Sequence, residues 1–140
     1  MAYPQPRPSK YPVRVGRSVA GLGLYARTNI PKNRFVIEYW GEIVDDQTAD
    51  KINGRYLFDL GDGKTISGGT RKNLARYINH ACRPNCEARQ VQDRMYIFSI
   101  KPIKAGEELT YDYGKEYVKT FIKPHCSCKT CVLRKRRTKK

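Results

Sequence analysis

At 140 residues and 39% hydrophobic composition, the chain has the size of one domain with one modest core, which leaves no room for a second globular unit. A formal charge of +15, from 28 Lys and Arg against 13 Asp and Glu, points to a polyanionic partner or environment and does not set the fold. No apolar run is long enough to span a bilayer and no apolar segment follows the first residues, so no membrane association and an intracellular location are expected.

Residues 1–10, with Pro4, Pro6 and Pro8, carry too little apolar surface to fold alone and read as an extended, flexible lead. Val13 and Val15 then alternate with Arg14 and Gly16, with Arg17 following, over residues 11–19, the pattern of a strand with one wet face. Gly21-Leu22-Gly23 permits close backbone approach to a flat or anionic group, and serves equally as a hairpin turn. Without a third glycine or a following helix it does not indicate a dinucleotide fold.

Residues 35–44 follow a Pro31-Lys32-Asn33 turn and are rich in β-branched and aromatic side chains, which predicts a strand with Phe35, Val36 and Ile37 in the core. Residues 45–53 suit a short helix capped by Asp45 or Asp46, with Gly54 beyond its end. A strand over 56–60, the turn Gly61-Asp62-Gly63 and a returning strand over 64–67 form a predicted hairpin. Residues 70–77 read as a short helical approach with Thr70 as its cap.

That approach leads into the densest stretch of the chain, Arg76-Tyr77-Ile78-Asn79-His80-Ala81-Cys82-Arg83-Pro84-Asn85-Cys86. Asn79 and His80 offer hydrogen-bonding groups directly after an apolar pair, Cys82 and Cys86 supply two soft sulfurs, and Pro84 holds Arg83 out of helical dihedrals. The composition is that of a site, or of a capped turn holding two buried cysteines. His80 has no neighbouring histidine and is a poor metal ligand by itself.

Residues 87–92 and 94–100 are expected to pair across Gln92-Asp93, and Pro102 with Ala105-Gly106 marks the turn before a last strand, Glu108-Leu109-Thr110-Tyr111-Asp112-Tyr113. There is no internal repeat. Five cysteines cannot all pair, and three crowd into Cys126-Ser127-Cys128-Lys129-Thr130-Cys131, which suits thiolate metal ligation in a reducing compartment better than disulfides. A one-signed basic run, Arg134 to Arg137 with Lys139 and Lys140, follows as a tail suited to nucleic acid. The expected fold is mainly β with little helix; composition alone does not separate a barrel from a sandwich.

Four segments in register give the chain a family likeness. The Asn79-His80-x-Cys82-x-Pro84-Asn85 stretch, Gly21-Leu22-Gly23, Glu38-Tyr39-Trp40-Gly41-Glu42 and Glu108-Leu109-Thr110-Tyr111-Asp112-Tyr113 together resemble SET-domain protein lysine methyltransferases, over most of the chain from about Val13 to Cys131. The resemblance implies a β-clip-like SET fold whose C-terminal segment, around Tyr111 to Gly114, threads beneath a loop near Asn79 and His80. It divides the chain into a lead (1–10), a SET domain (11–115), a post-SET-like zinc segment (116–133) and a basic tail (134–140).

The same resemblance implies an enzyme that uses S-adenosyl-L-methionine to methylate lysine in a basic, histone-like protein held on nucleic acid, in a nucleus, a bacterial cytoplasm or a host nucleus. Tyr113 matches the family's catalytic tyrosine, which orients amine and methyl group, and Tyr39, Phe58 and Tyr111 line the channel for the target lysine. Tyr111 stands where the family carries Phe or Tyr, a position that controls how many methyl groups fit. Gly21, Leu22, Gly23, Tyr56, Arg76, Tyr77, Asn79 and His80 border the cofactor. One structural zinc falls to Cys82, Cys126, Cys128 and Cys131, with Cys86 and His125 as reserves, because the C-terminal spacing is Cys-x-Cys-x2-Cys where the family has Cys-x-Cys-x4-Cys. Tyr117 and Phe121 would complete the channel roof. The rival reading is a catalytically inactive SET-like module that binds nucleic acid or chromatin through its basic tail.

Overall fold

Short strands dominate because β-branched and aromatic runs are cut every few residues by turn-forming positions. The computed structural model describes residues 5–19, 21–52 and 56–113. In chain order these form β1 (Val13–Ser18), β2 (Gly21–Ala26), β3 (Phe35–Tyr39), β4 (Glu42–Asp45), a helix α1 (Asp46–Lys51), β5 (Leu57–Gly61) and β6 (Lys64–Ser67). A 3-10 turn (Leu74–Tyr77) then leads to β7 (Asn79–His80), β8 (Cys86–Val91), β9 (Arg94–Ser99) and β10 (Thr110–Tyr111). The fold is mainly β with one short helix, as the sequence leads one to expect.

The strands make four small sheets, β1-β2, β3-β9-β8, β4-β6-β5 and β10-β7, and only the last pairing is parallel. Turn chemistry sets the hairpins. Gly61, Asp62 and Gly63 all take positive φ between β5 and β6, as does Gln92 between β8 and β9, which matches the right-handed twist of the flanking strands. The segment 35–44 is not one strand but two in different sheets. It breaks at Trp40-Gly41 because Gly41 lies against the Ser67 carbonyl, where any Cβ would overlap the backbone.

Helix α1 is capped as expected by Asp45, whose Oδ1 accepts the Thr48 amide at 2.7 Å. The hydrogen bonds from Thr48, side chain first, hold that carboxyl below its ordinary range. The second helical segment departs from expectation. It is a 3-10 turn preceded by Asn73, with no side-chain cap bond, while Thr70 closes a turn upstream by accepting the Asn73 amide at its carbonyl. Asn73 itself is fully buried and serves tertiary structure instead of capping.

Leu24, Val36, Ile66, Ile97 and Leu109 are fully buried and come from β2, β3, β6, β9 and the segment before β10, so one core joins all the sheets. Burying each such side chain is worth about 1.5–3 kcal/mol. Glu38 is buried among them at 1% exposure, a position that needs partners. The Arg7 amide donates to its Oε1 at 2.7 Å and the Arg94 guanidinium stands 3.8 Å away. Arg94 also donates to the Gln5 carbonyl at 3.0 Å, and the Arg7 guanidinium covers the Phe35 ring. Gln5 and Arg7 are thereby tied to β3 and β9. Among the described residues no helix is long and apolar enough to cross a membrane.

Candidate functional site

The site begins with β10, which lies parallel to β7 so that Thr110 faces Asn79 and Tyr111 faces His80. Asn85 holds it there. Its Oδ1 accepts the Thr110 amide at 2.9 Å, its Nδ2 donates to the Glu108 carbonyl at 2.9 Å, and its own amide donates to Thr110 Oγ1 at 3.3 Å. The Ala81 amide adds a bond to the Tyr111 carbonyl.

This placement brings the expected channel residues into one continuous row. Ring centroids are 5.4 Å apart for Tyr39 and Phe58, 6.3 Å for Phe58 and Tyr111, and 4.8 Å for Tyr111 and Tyr113, with His80 5.4 Å beyond Tyr113. Tyr39 and Tyr111 are buried, while Phe58 and Tyr113 are partly open. The Tyr39 hydroxyl end occupies the space where Gly68 would carry a Cβ. Asn73 fixes that glycine by donating to its carbonyl at 2.9 Å, and accepts the Trp40 amide at 3.3 Å.

Tyr113 is held at both ends. Its hydroxyl donates to the Ile78 carbonyl, and its amide donates to His80 Nδ1 at 3.1 Å. Nδ1 accepts that amide and stands 3.6 Å from Asp112 Oδ1, while Nε2 faces the Cys82 sulfur at 3.6 Å.

On the other side of β7, Asn79 reaches back to the Gly21–Gly23 strand. Its Nδ2 donates to the Leu22 carbonyl at 2.9 Å and to Glu108 Oε2 at 2.8 Å. Both neighbours only accept, so the amide nitrogen must face them and Oδ1 must point away. Gly21, at φ 108, has open space where a side chain would stand, and Gly23 lies against the Glu108 carboxylate with no room for one. Arg76 lies over the Tyr56 ring at 4.1 Å and the Tyr77 ring at 5.1 Å and donates to the Gly69 carbonyl. Its Nε is buried without a partner among the described residues.

The structure thus gathers Tyr39, Phe58, Tyr111 and Tyr113 on one row, Gly21, Leu22, Gly23, Asn79 and His80 beside it, and Tyr56, Arg76 and Tyr77 in a third group. Three residues to which the sequence assigns no role carry this arrangement. Asn73, Asn85 and Glu108 are polar hubs joining separate elements, and the visible signal was the place of Asn85 and Glu108 inside the quoted motifs; nothing in the sequence marks Asn73.

For a metal, only part of the expected set is described. Cys126, Cys128, Cys131 and His125, with Tyr117, Phe121 and the basic tail, lie outside the described residues. Among the described residues no group of three His, Cys, Asp or Glu is placed to hold an ion. Cys86 is a poor reserve ligand: it is fully buried, and burial pushes its thiol up from 9.0 to about 12.

A family model described as "SET domain" matches residues 21–114. An Emericella nidulans protein named "Histone-lysine N-methyltransferase, H3 lysine-4 specific" is 39% identical over 130 residues, covering 83% of this chain and 11% of its own length. A Schizosaccharomyces pombe protein of the same name is 38% identical over 123 residues, covering 79% of this chain and 13% of its own. The Drosophila melanogaster "Histone-lysine N-methyltransferase trr" is 37% identical over 122 residues, covering 79% and 5%. The chain therefore spans only between 5% and 13% of the length of these curated relatives.

Cys86, buried in the core on β8, gives the fold a pH signature. Its raised folded value means that stability from keeping the neutral thiol is fully present below pH 9.0 and is lost as pH rises toward about 12, at about 1.4 kcal/mol per pH unit once the unfolded thiol is ionised. Urea unfolding at pH 8.5 and 10.5 should show the wild type losing stability relative to Cys86→Ala, with groups common to both cancelling. An unchanged difference would mean that Cys86 is not sealed in the core.

Proposed function

We propose that this chain, which belongs to the SET-domain family, methylates the side-chain amine of lysine in a basic, histone-like protein with S-adenosyl-L-methionine as donor. The observation that carries the proposal is the row of rings from Tyr39 to Tyr113, set beside the Asn79 and Gly21–Gly23 edge. The names of the relatives support the same chemistry and the histone substrate class.

The residues present fit the cofactor. Gly21 leaves open space, Asn79 Oδ1 is an acceptor without a partner among the described residues, and Arg76 Nε is a buried donor in the same condition. Gly21, Leu22, Gly23, Asn79 and His80 would hold the cofactor, with Tyr56, Arg76 and Tyr77 alongside. When bound, it supplies an electrophilic methyl group.

The protein's own task is to present a neutral, aligned amine. A free lysine with pKa near 10.4 is neutral in only about one part in a few thousand at pH 7, which sets roughly 4 to 5 kcal/mol against the productive form. Tyr39, Phe58 and Tyr111 exclude water and so disfavour the ammonium. The Tyr113 hydroxyl donates a hydrogen bond to the Ile78 carbonyl, and its oxygen would accept one from the amine. It therefore orients the nucleophile and need not act as a base.

The test is transfer of a radiolabelled methyl group to histones, free and on DNA, and to other basic proteins. Tyr113→Phe should lower kcat by about a hundredfold or more while S-adenosylhomocysteine binds unchanged. Near-normal turnover would remove Tyr113 from catalysis, and no transfer by the wild type to any member of the panel would remove the activity.

Tyr111 should limit the product to lower methylation states, since its hydroxyl occupies space that added methyl groups need. Mass spectrometry should find Tyr111→Phe carrying a lysine peptide to higher states than the wild type; abundant trimethyl-lysine from the wild type contradicts this.

Cys82 would join Cys126, Cys128 and Cys131 around one zinc, its sulfur being half-buried beside His80 Nε2. Metal analysis of reduced, chelator-free protein should return one zinc per chain, and none would refute the post-SET-like reading.

A further inference from the structure

Glu108 belongs to no pair of opposite charges in the described residues, yet it is the meeting point of three separate segments. Ser18 Oγ, at the end of β1, donates to Oε1 and Oε2 at 2.8 and 2.9 Å, and Asn79 Nδ2, on β7, donates to Oε2 at 2.8 Å. The carboxylate also fills the space above Gly23 on β2. Its own backbone is fixed on both sides, because the Glu108 carbonyl accepts Asn85 Nδ2 and residue 108 forms a β-bridge with Tyr25.

The consequence falls on the Asn79 amide. A primary amide has two N–H groups, and here one is committed to the Leu22 carbonyl and the other to Glu108. With both donors used, the carbonyl oxygen points away from Leu22 and Glu108 and is the one polar atom of the side chain left to meet a ligand. Without Glu108 the amide would keep one bond and could turn, presenting either donor or acceptor. A fixed acceptor suits a cationic amine and repels a carboxylate, so orientation decides which group can bind there.

We infer that Glu108 is a positioning residue that locks Asn79 with its carbonyl oxygen outward, as the acceptor for the ammonium of the methionyl part of the cofactor. This rests on the cofactor reading given above. Glu108 touches neither substrate amine nor transferred methyl, and acts only through Asn79.

Two ligands separate positioning from general stability. S-adenosylhomocysteine carries the amino-acid portion, and methylthioadenosine carries the adenosine and sulfur without it. By calorimetry on the full chain, Glu108→Ala should bind S-adenosylhomocysteine about tenfold more weakly and methylthioadenosine within about twofold of wild type. Glu108→Gln, which keeps an acceptor toward Asn79 and whose N–H can meet Ser18 Oγ, should restore most of the loss. If Glu108→Ala does not fold, Ser18→Ala loosens the carboxylate without entering the core and should show the same selectivity at about threefold. Equal weakening of both ligands, or of neither, overturns the inference while leaving the cofactor reading intact. A wild type that binds neither ligand overturns both.

Discussion

Two residues of parallel pairing, Thr110–Tyr111 against Asn79–His80, carry the whole site. The backbone bonds of so short a ladder contribute about 0.5–1.5 kcal/mol each and would not hold a strand alone. Side chains do the holding: Asn85 grips Thr110 and the Glu108 carbonyl, and His80 takes the Tyr113 amide. With β10 displaced, Tyr111 and Tyr113 leave the ring row and Glu108 leaves Asn79. The ring row and the Asn79 edge therefore depend on one clamp, although their residues come from five separate stretches of chain.

Much of the scaffold was legible because local chemistry specified it. The Asp45 cap, the hairpin closed by Gly61-Asp62-Gly63 and the hairpin across Gln92-Asp93 all form as the turn residues dictate. The break at Gly41 was not legible, since only the approach of Ser67 from another sheet makes that glycine a corner. Thr70 looked like a cap because hydroxyls favour helix starts, but Asn73 took the position and spent its side chain on Gly68 and Trp40. The site's row of tyrosines came from family likeness; the polar hubs behind it did not, because nothing local tells Glu108 that Ser18 will meet it.

Charge tells a similar story of local appearance and tertiary use. Arg7, Arg14, Arg76 and Arg89 lie over Phe35, Tyr25, Tyr56 and Phe98 at 4.1 to 4.7 Å. Each covers an aromatic face that would otherwise be wet, which a lysine does less well. Part of the excess of +15 is thus packing material, and the surface field is set by how the remaining cations are arranged.

The bond from the Leu109 amide to the Leu24 carbonyl, with the Ala26 amide on the Glu107 carbonyl, ties nearly the first strand to nearly the last. A nascent chain meets these partners in the wrong order for early assembly: β2 emerges long before the segment that covers it. Until then Leu24 and the Gly21–Gly23 edge have no lid, and long loops must close before the contacts that reward closure exist. Folding of this domain is consequently concerted with the arrival of its closing segment, and neither the ring row nor the Asn79 edge exists in a partly made chain.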